Sequence, residues 1–319
     1  MPYLIGMDEA GYGPNLGPLV VCATVWHVPE HLSQGVEICD LYAHLAEAVH
    51  PSPQRDRLAI ADSKKLYGGG KGLRLLEEGV WSTAPIVGHA IPFWTDPNFL
   101  SPDDPPLAPW YQPPTSLLPQ AAAHEVIEAK RARLEAACNA CEVRLCQVAV
   151  AAVTAERFNR QLLKWGKKSD VLSHTTLELL RSCLDRLPTE PTFVVCDKHG
   201  GRNRYGDLLR HHFPEWRVLA EQETRPCSRY VGQREGDKGA IEIRFQSQGE
   251  GFLPAALASM FAKYQRELAM AAFNRFWISH LPALRPTAGY PLDAKRFAAE
   301  VTQARRKLRV TVEQFWRAK

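Results

Sequence analysis

The chain lacks any apolar run of the roughly 18 to 20 residues that a membrane-spanning helix needs. Its first 25 residues also lack a basic start followed by an apolar stretch, so no export signal is legible there. The expectation is a soluble, cytoplasmic protein without a membrane partner. Cysteine is sparse, with eight in 319 residues, and Cys22, Cys146 and Cys196 sit inside apolar runs. A disulfide framework is therefore excluded as the organising principle, and reduced thiols are expected. Cys138 and Cys141 have the two-residue spacing of a zinc knuckle, but no second pair follows, and their Ala-rich surroundings favour adjacent turns of one helix. Strong net charge is missing too: 39 Lys and Arg against 35 Asp and Glu leave +4, which allows a local basic groove without announcing one. No internal repeat is visible, and no Ser-His-Asp or Cys-His arrangement offers a protein nucleophile.

Proline is in excess. There are 24 in the chain, above the roughly 5% average, and seven of them fall between Pro102 and Pro119. That crowding marks an irregular segment. Apolar runs at 3–7 and 19–26 flank a Gly- and Pro-rich turn and read as two antiparallel strands. Helical spacing follows at 37–49, a helix at 73–79 and a third strand at 86–92. Residues 121–141 favour a helix by composition. A strand at 143–153, a turn or helix at 155–165, a helix to about 187 with Ser173 as its N-cap, and a buried strand at 193–196 make an α/β signature. Further strands are expected at 217–220 and 241–245, then a long helix at 255–278 and another at 293–306.

The carboxylates carry the chemistry. Asp8 and Glu9 end the first strand just before Gly11 and Gly13, where backbone can approach a ligand closely. Strand alternation sends neighbours to opposite faces, so both can serve one site only if the strand ends or bends there. Asp197 caps a wholly apolar strand at a sheet edge, the usual place for ligand chemistry in α/β folds. The loop after it contains Lys198, His199, Gly200, Gly201, Arg202 and Arg204, as a phosphate-contacting loop would. Asp62-Ser63-Lys64-Lys65-Leu66 adds paired lysines and a hydroxyl.

Taken in order, these segments resemble the type 2 ribonucleases H, the ribonuclease HII and HIII family. Four stretches carry the resemblance: Asp8-Glu9-Ala10-Gly11, Asp62-Ser63-Lys64-Lys65-Leu66, the strand ending at Asp197, and residues 254–263 (PAALASMFAK), which look like the family's Ser-Ala-Ala-Ser helix with its Ala-Lys ending. Gly289-Tyr290-Pro291 looks like its late Gly-Tyr-Pro. The resemblance implies a ribonuclease H-like α/β fold, a mixed sheet flanked by helices with a C-terminal helical part from about 255. One catalytic domain would then span 1–319, with the Pro-rich and helical stretch at about 94–141 as an insertion.

It also implies four carboxylates holding two divalent metals, Mg²⁺ or Mn²⁺. Asp8, Glu9 and Asp197 map directly, and Glu250 fills the fourth place, ahead of Glu267, which lies beyond the Ala-Lys. Four crowded carboxylates could not all ionise without cations between them. The implied reaction is hydrolysis of the RNA strand of RNA–DNA hybrids, or cleavage at ribonucleotides embedded in DNA, by a monomeric endonuclease. Implied substrate contacts are Ser63, Lys64, Lys65, Lys198 and Arg202, the backbone at Gly11, Tyr12 and Gly13 for the ribose 2′-hydroxyl, and Tyr290 for stacking. One departure is Tyr12, where the HII branch has Arg, which removes a phosphate-directed charge. Two other readings keep the fold: a nucleic-acid-binding module without turnover, and a nuclease acting on another DNA structure. In the insertion, Trp94, Trp110 and Tyr111 with Lys130, Arg131 and Arg133 could stack and hold a strand, or simply cover a sheet edge.

Overall fold

A computed structural model describes residues 2–32, 39–68, 72–88, 91–96, 104–113, 117–234, 239–247 and 249–318, with the side chains of Arg234 and Glu250 left outside the description. In chain order the strands are β1 (Tyr3–Ala10), β2 (Leu19–His27), β3 (Val49–His50), β4 (Leu58–Ala59), β5 (Arg144–Val153), β6 (Thr192–Asp197), β7 (Trp216–Glu223), β8 (Cys227–Arg234) and β9 (Ala240–Gln246). The helices are α1 (Leu41–His44), α2 (Ser63–Tyr67), α3 (Arg74–Thr83), α4 (His124–Ala140), α5 (Ala155–Trp165), α6 (Lys168–Leu184), α7 (Gly206–His212), α8 (Leu253–His280), α9 (Pro291–Lys307) and α10 (Val312–Phe315).

Seven strands form one mixed sheet in the order β5-β2-β1-β6-β9-β8-β7. The β1–β2 pair is antiparallel, from Tyr3 opposite His27 to Ala10 opposite Val20. β1, β6 and β9 run parallel, and the β1–β6 pairing stops at Met7 opposite Cys196. All nine residues of β2 are buried, which is why its run is apolar throughout and shows no alternation. Helices cover both faces. Leu4, Val20, Cys22 and Trp26 enter a core with α3 and α8, while Ile5, Met7, Val21 and Val25 enter a second core with α5, α6 and α7. The architecture is thus α/β, a mixed sheet flanked by helices, as the motifs implied.

Helix α8 lies against the sheet because of a glycine. A Cβ on Gly6 would come within 2.0 Å of the Ala255 amide nitrogen, so only hydrogen at this position lets the first turn of α8 sit down on β1. The Thr24 hydroxyl fixes that turn by donating to the Pro254 carbonyl at 2.8 Å. Pro254 itself is tolerated because the first-turn N–H it lacks has no partner within the helix.

Several expectations are corrected. No strand forms at 86–92: Pro85 and left-handed Gly88 make a 3-10 turn at Ala84–Val87, and 89–90 lie outside the described residues. The helical spacing at 37–49 yields only α1, started by an Asp40 side-chain cap on Tyr42, with 37 and 38 outside the description. Ser173 is not an N-cap. Helix α6 starts five residues earlier, and the Ser173 hydroxyl donates back to the Ser169 carbonyl at 2.7 Å.

The insertion aromatics are not a stacking platform. Trp110 and Tyr111 are buried, Trp94 is half-buried with its indole N–H donated to the Gln112 carbonyl at 2.9 Å, and Trp110 packs on Phe273, Phe276 and Trp277 of α8. Lys130 is buried on Glu78 at 2.7 Å, Arg131 pairs with Glu128, and Arg133 donates to the Asp56 carbonyl. The segment is held by the buried Glu77 carboxylate, which accepts the amides of Gln120, Ala121 and Ala122 at 2.6 to 2.9 Å and the Tyr264 hydroxyl at 3.0 Å. Residues 97–103 and 114–116 of it lie outside the description.

Gly6→Ala is expected to destabilise the protein by about 3 kcal/mol or more, because the clash is with backbone that cannot rotate away. Chemical denaturation measures this; a change within error would show that α8 does not rest on β1 at this contact.

Candidate active site

The C-terminal ends of β1 and β6 bring Asp8, Glu9 and Asp197 together, with one carboxylate oxygen from each within 4.8 Å of the others. Strand β1 does not bend to achieve this, since its register with β2 is unbroken through Ala10. The opening comes instead from β1 and β6 parting after Met7 and Cys196. Asp8 lines a cavity of about 120 Å³ on the α8 side with Asp62, Lys64, Asp197, Gly249, Ala255 and Ser259. Glu9 reaches the cluster from the α6 side, beside Thr176 and His199.

Each carboxylate is half-buried. Burial is the main reason that Asp8 is pushed up to about 7; a hydrogen bond from Ser259 opposes it, Asp197 adds to it, the Glu9 amide at 2.8 Å opposes it, and Asp62 adds to it. Glu9 is pushed up to about 8 by burial, then by Asp8 and Asp197, against Lys64. For Lys64, burial works against the charge, but Asp62, Asp8, Asp197 and Glu9 outweigh it and hold the ammonium more firmly protonated. The donor set is oxygen only and short of positive charge, which fits hard divalent cations.

Two contributors stand in the quoted motifs without a role assigned to them there. Asp62 caps α2 by accepting from the Lys64 amide at 2.6 Å and so sets Lys64 toward the cavity. Ser259 sits among alanines on α8; its Oγ accepts the Ser63 amide at 3.2 Å and lies 3.1 Å from the Ser63 hydroxyl. Ser63 is thus a buried brace between α2 and α8, and Lys65 is exposed beside it.

Lys198 faces its own loop. Its ammonium meets Thr224 O at 2.7 Å, Asn203 Oδ1 at 2.8 Å and Ser228 Oγ at 3.1 Å, which uses all three donors. That corrects the expected phosphate contact. Arg202 pairs with Asp170, and with Arg204, Lys167 and Tyr12 it lines a wide cleft next to Glu9's side of the sheet. His199 is buried and structural: Ser173 Oγ is 2.9 Å from its Nδ1, and burial, then Arg202, drives it down to about 3.

Gly11 has φ of +88°, and a Cβ there would strike the Pro18 carbonyl at 2.5 Å. The same turn is pinned from the far end of the chain by fully buried Arg317, which donates to the carbonyls of Gly11 and Pro14. Tyr290 is 57% exposed, and its ring lies 3.9 Å from where a Gly13 side chain would begin. Glu267 is elsewhere, bonded to Lys263 at 2.6 Å and the Tyr67 hydroxyl at 2.9 Å. The Glu250 backbone is in the 3-10 turn Gly249–Gly251 at the cavity; its side chain lies outside the described residues.

No protein-family model matches the chain, and no curated protein does. Solved structures do. The chain is similar to ribonuclease H2 from Pyrococcus horikoshii OT3, at 12% identity over 98% of this chain and 92% of that one, with a TM-score of 0.44. It is similar to a chain of the PCNA:RNase HII complex from Archaeoglobus fulgidus (13%, 99% and 94%, TM-score 0.42). For Bst-RNase HIII in complex with Mn²⁺ the values are 14%, 99% and 65%, with a TM-score of 0.45.

The carboxylates make stability depend on pH. Asp8 and Glu9 hold protons more tightly folded than unfolded, so their contribution is present below their ordinary range and is lost as pH rises through about 7 to 8. The melting temperature in chelator should fall between about pH 5 and about pH 9, less steeply in Asp8→Asn, and Mn²⁺ should restore it. A profile identical in both proteins would show that the three groups do not repel as described.

Proposed function

We propose that the chain is a type 2 ribonuclease H-like endonuclease, hydrolysing the RNA strand of RNA–DNA hybrids or the backbone at ribonucleotides embedded in DNA. The observation that carries this reading is the convergence of Asp8, Glu9 and Asp197 within 4.8 Å at the ends of parallel strands, next to Lys64 and the Gly11–Gly13 turn. Asp8, Glu9 and Asp197 would hold Mg²⁺ or Mn²⁺, with Glu250 at the start of α8 as the fourth ligand by resemblance. Bound there, divalent cations supply charge neutralisation, activation of an attacking water and stabilisation of the leaving oxygen.

The chain's own residues do the rest. Ser259 orients the Asp8 carboxylate through its hydroxyl, and Asp62 aims Lys64 at the cavity, where an incoming phosphate would meet its ammonium. The backbone at Gly11 and Gly13, bare of side chains and braced by Arg317, approaches the ribose 2′-hydroxyl, the group that separates RNA from DNA. Tyr290, exposed beside Gly13, stacks on the sugar. The charge absent at Tyr12 stands beside it in Arg202, Arg204 and Lys167. Hydrolysis leaves a 3′-hydroxyl and a 5′-phosphate.

The test is incubation with a labelled RNA–DNA hybrid, and with a DNA duplex carrying one ribonucleotide, in Mg²⁺ or Mn²⁺. Wild type should cut both or either, and Asp8→Asn should lose about a hundred- to a thousandfold in rate, on the scale seen when a group central to charge stabilisation is removed. Binding without cutting would favour the non-catalytic module, and cutting that ignores ribonucleotides would favour a nuclease for another structure.

Arg317→Ala tests the brace. Leaving the Gly11 and Pro14 carbonyls unmatched should cost about 2 to 3 kcal/mol in stability and lower cleavage of the ribonucleotide substrate. Unchanged stability would show that the C-terminal segment does not hold the turn.

A further inference from the structure

A second set of metal-ligating side chains lies outside the acidic cavity. His174 sits in the middle of α6, and His211 and His212 end α7; one ring nitrogen from each lies within 4.8 Å of the others. The rings are 5.0 to 5.5 Å apart between centroids. His174 Nδ1 faces His212 Nε2 at 2.8 Å. Two nitrogens so placed share a single proton, and a cation bound to both displaces that proton to solvent or to the far ring nitrogens.

The surroundings hold the rings. Trp165 stacks flat on His174, 3.5 Å between centroids and 13° between planes, and meets His211 edge-on at 5.7 Å. Arg181 Nη1 donates to the His212 carbonyl at 3.2 Å, tying the end of α7 to α6. The ligand set contains imidazoles alone. Asp170, one turn before His174, is paired with Arg202, and the Lys164 ammonium sits over the Trp165 ring at 4.3 Å.

We propose that His174, His211 and His212 bind a late first-row divalent cation, of the class of Zn²⁺, Ni²⁺ or Cu²⁺, at a site separate from the acidic cavity. Imidazole nitrogen suits these ions, whereas the oxygen-only set of Asp8, Glu9 and Asp197 suits Mg²⁺ and Mn²⁺. Metal–nitrogen bonds of about 2.0 to 2.1 Å set ligand nitrogens roughly 3.3 Å apart around a tetrahedral ion, so the His174–His212 pair at 2.8 Å opens slightly while His211 adjusts to complete the set. His211 is exposed and His212 half-buried at a helix end, so their side chains can move, while buried His174 stays in place. The ion clamps α6 to α7, and α7 directly follows the loop that leads from Asp197 through Arg202 and Arg204. The site therefore stiffens the basic loop beside the carboxylates, and its existence does not depend on the nuclease reading.

The experiment is titration of the full, tag-free chain with Co²⁺ in excess Mg²⁺, following the visible d–d absorption of a nitrogen-ligated ion, then displacement by Zn²⁺. Wild type should take up one Co²⁺ per chain, displaced by Zn²⁺, and Asp8→Asn should do the same. His211→Ala and His212→Ala, both at solvent-accessible positions, should weaken binding by at least about tenfold, the loss that even outer partners of a ligand cause. Absence of the bands in wild type, equal affinity in both histidine variants, or their loss in Asp8→Asn would each overturn the proposal.

Discussion

Mutual repulsion among Asp8, Glu9 and Asp197 is the constraint on which the rest of the structure depends. Three carboxylates in a half-buried cavity are an unstable grouping without positive charge between them; burial first, and the neighbouring carboxylates in addition, push Asp8 up to about 7 and Glu9 up to about 8. The fold keeps them together because each is fixed to something rigid. Asp8 and Glu9 ride on a strand paired on both sides up to Met7 and with β2 beyond it, Asp197 ends a buried parallel strand, and Ser259 holds Asp8 from a helix seated by Gly6.

The same economy shapes the neighbourhood. Long-range contacts support the site and the layer behind it: Arg317 holds the Gly11 turn across 306 positions of sequence, Ser63 meets Ser259 across 196, and Glu77 ties the Pro-rich segment to α3 and α8. The excess of proline thus belongs to a segment that thickens the layer behind α8. Its aromatics extend the core of that helix and leave the cavity mouth to the glycine turn and the basic loop.

How far the sequence disclosed this follows physical lines. Asp8, Glu9 and Asp197 were legible because a carboxylate ending a buried apolar strand has few structural reasons to be there. The central strands were legible for the same reason. Strand β8 was not, since only Tyr230 among its residues is a large buried apolar group and its face toward solvent carries Arg229. Ser173 resembled a cap, but helix α6 begins at Lys168 with Lys167 in the N-cap position, whose side chain makes no cap bond. Trp110 and Tyr111 looked like a nucleic-acid platform because composition cannot tell a buried ring from an exposed one. Ser259 and Arg317 act through partners hundreds of positions away, which no local pattern signals, whereas the Asp62 cap on the Lys64 amide is a local pattern that went unread.

The central claim is that these carboxylates exist to hold divalent cations. Electron paramagnetic resonance of Mn²⁺ titrated into wild type and into Asp197→Asn tests it most directly, because loss of free-ion signal counts bound metal without requiring turnover. Saturable binding in wild type that is lost in Asp197→Asn is the predicted result. Binding of equal strength in both proteins, or none in either, would contradict it.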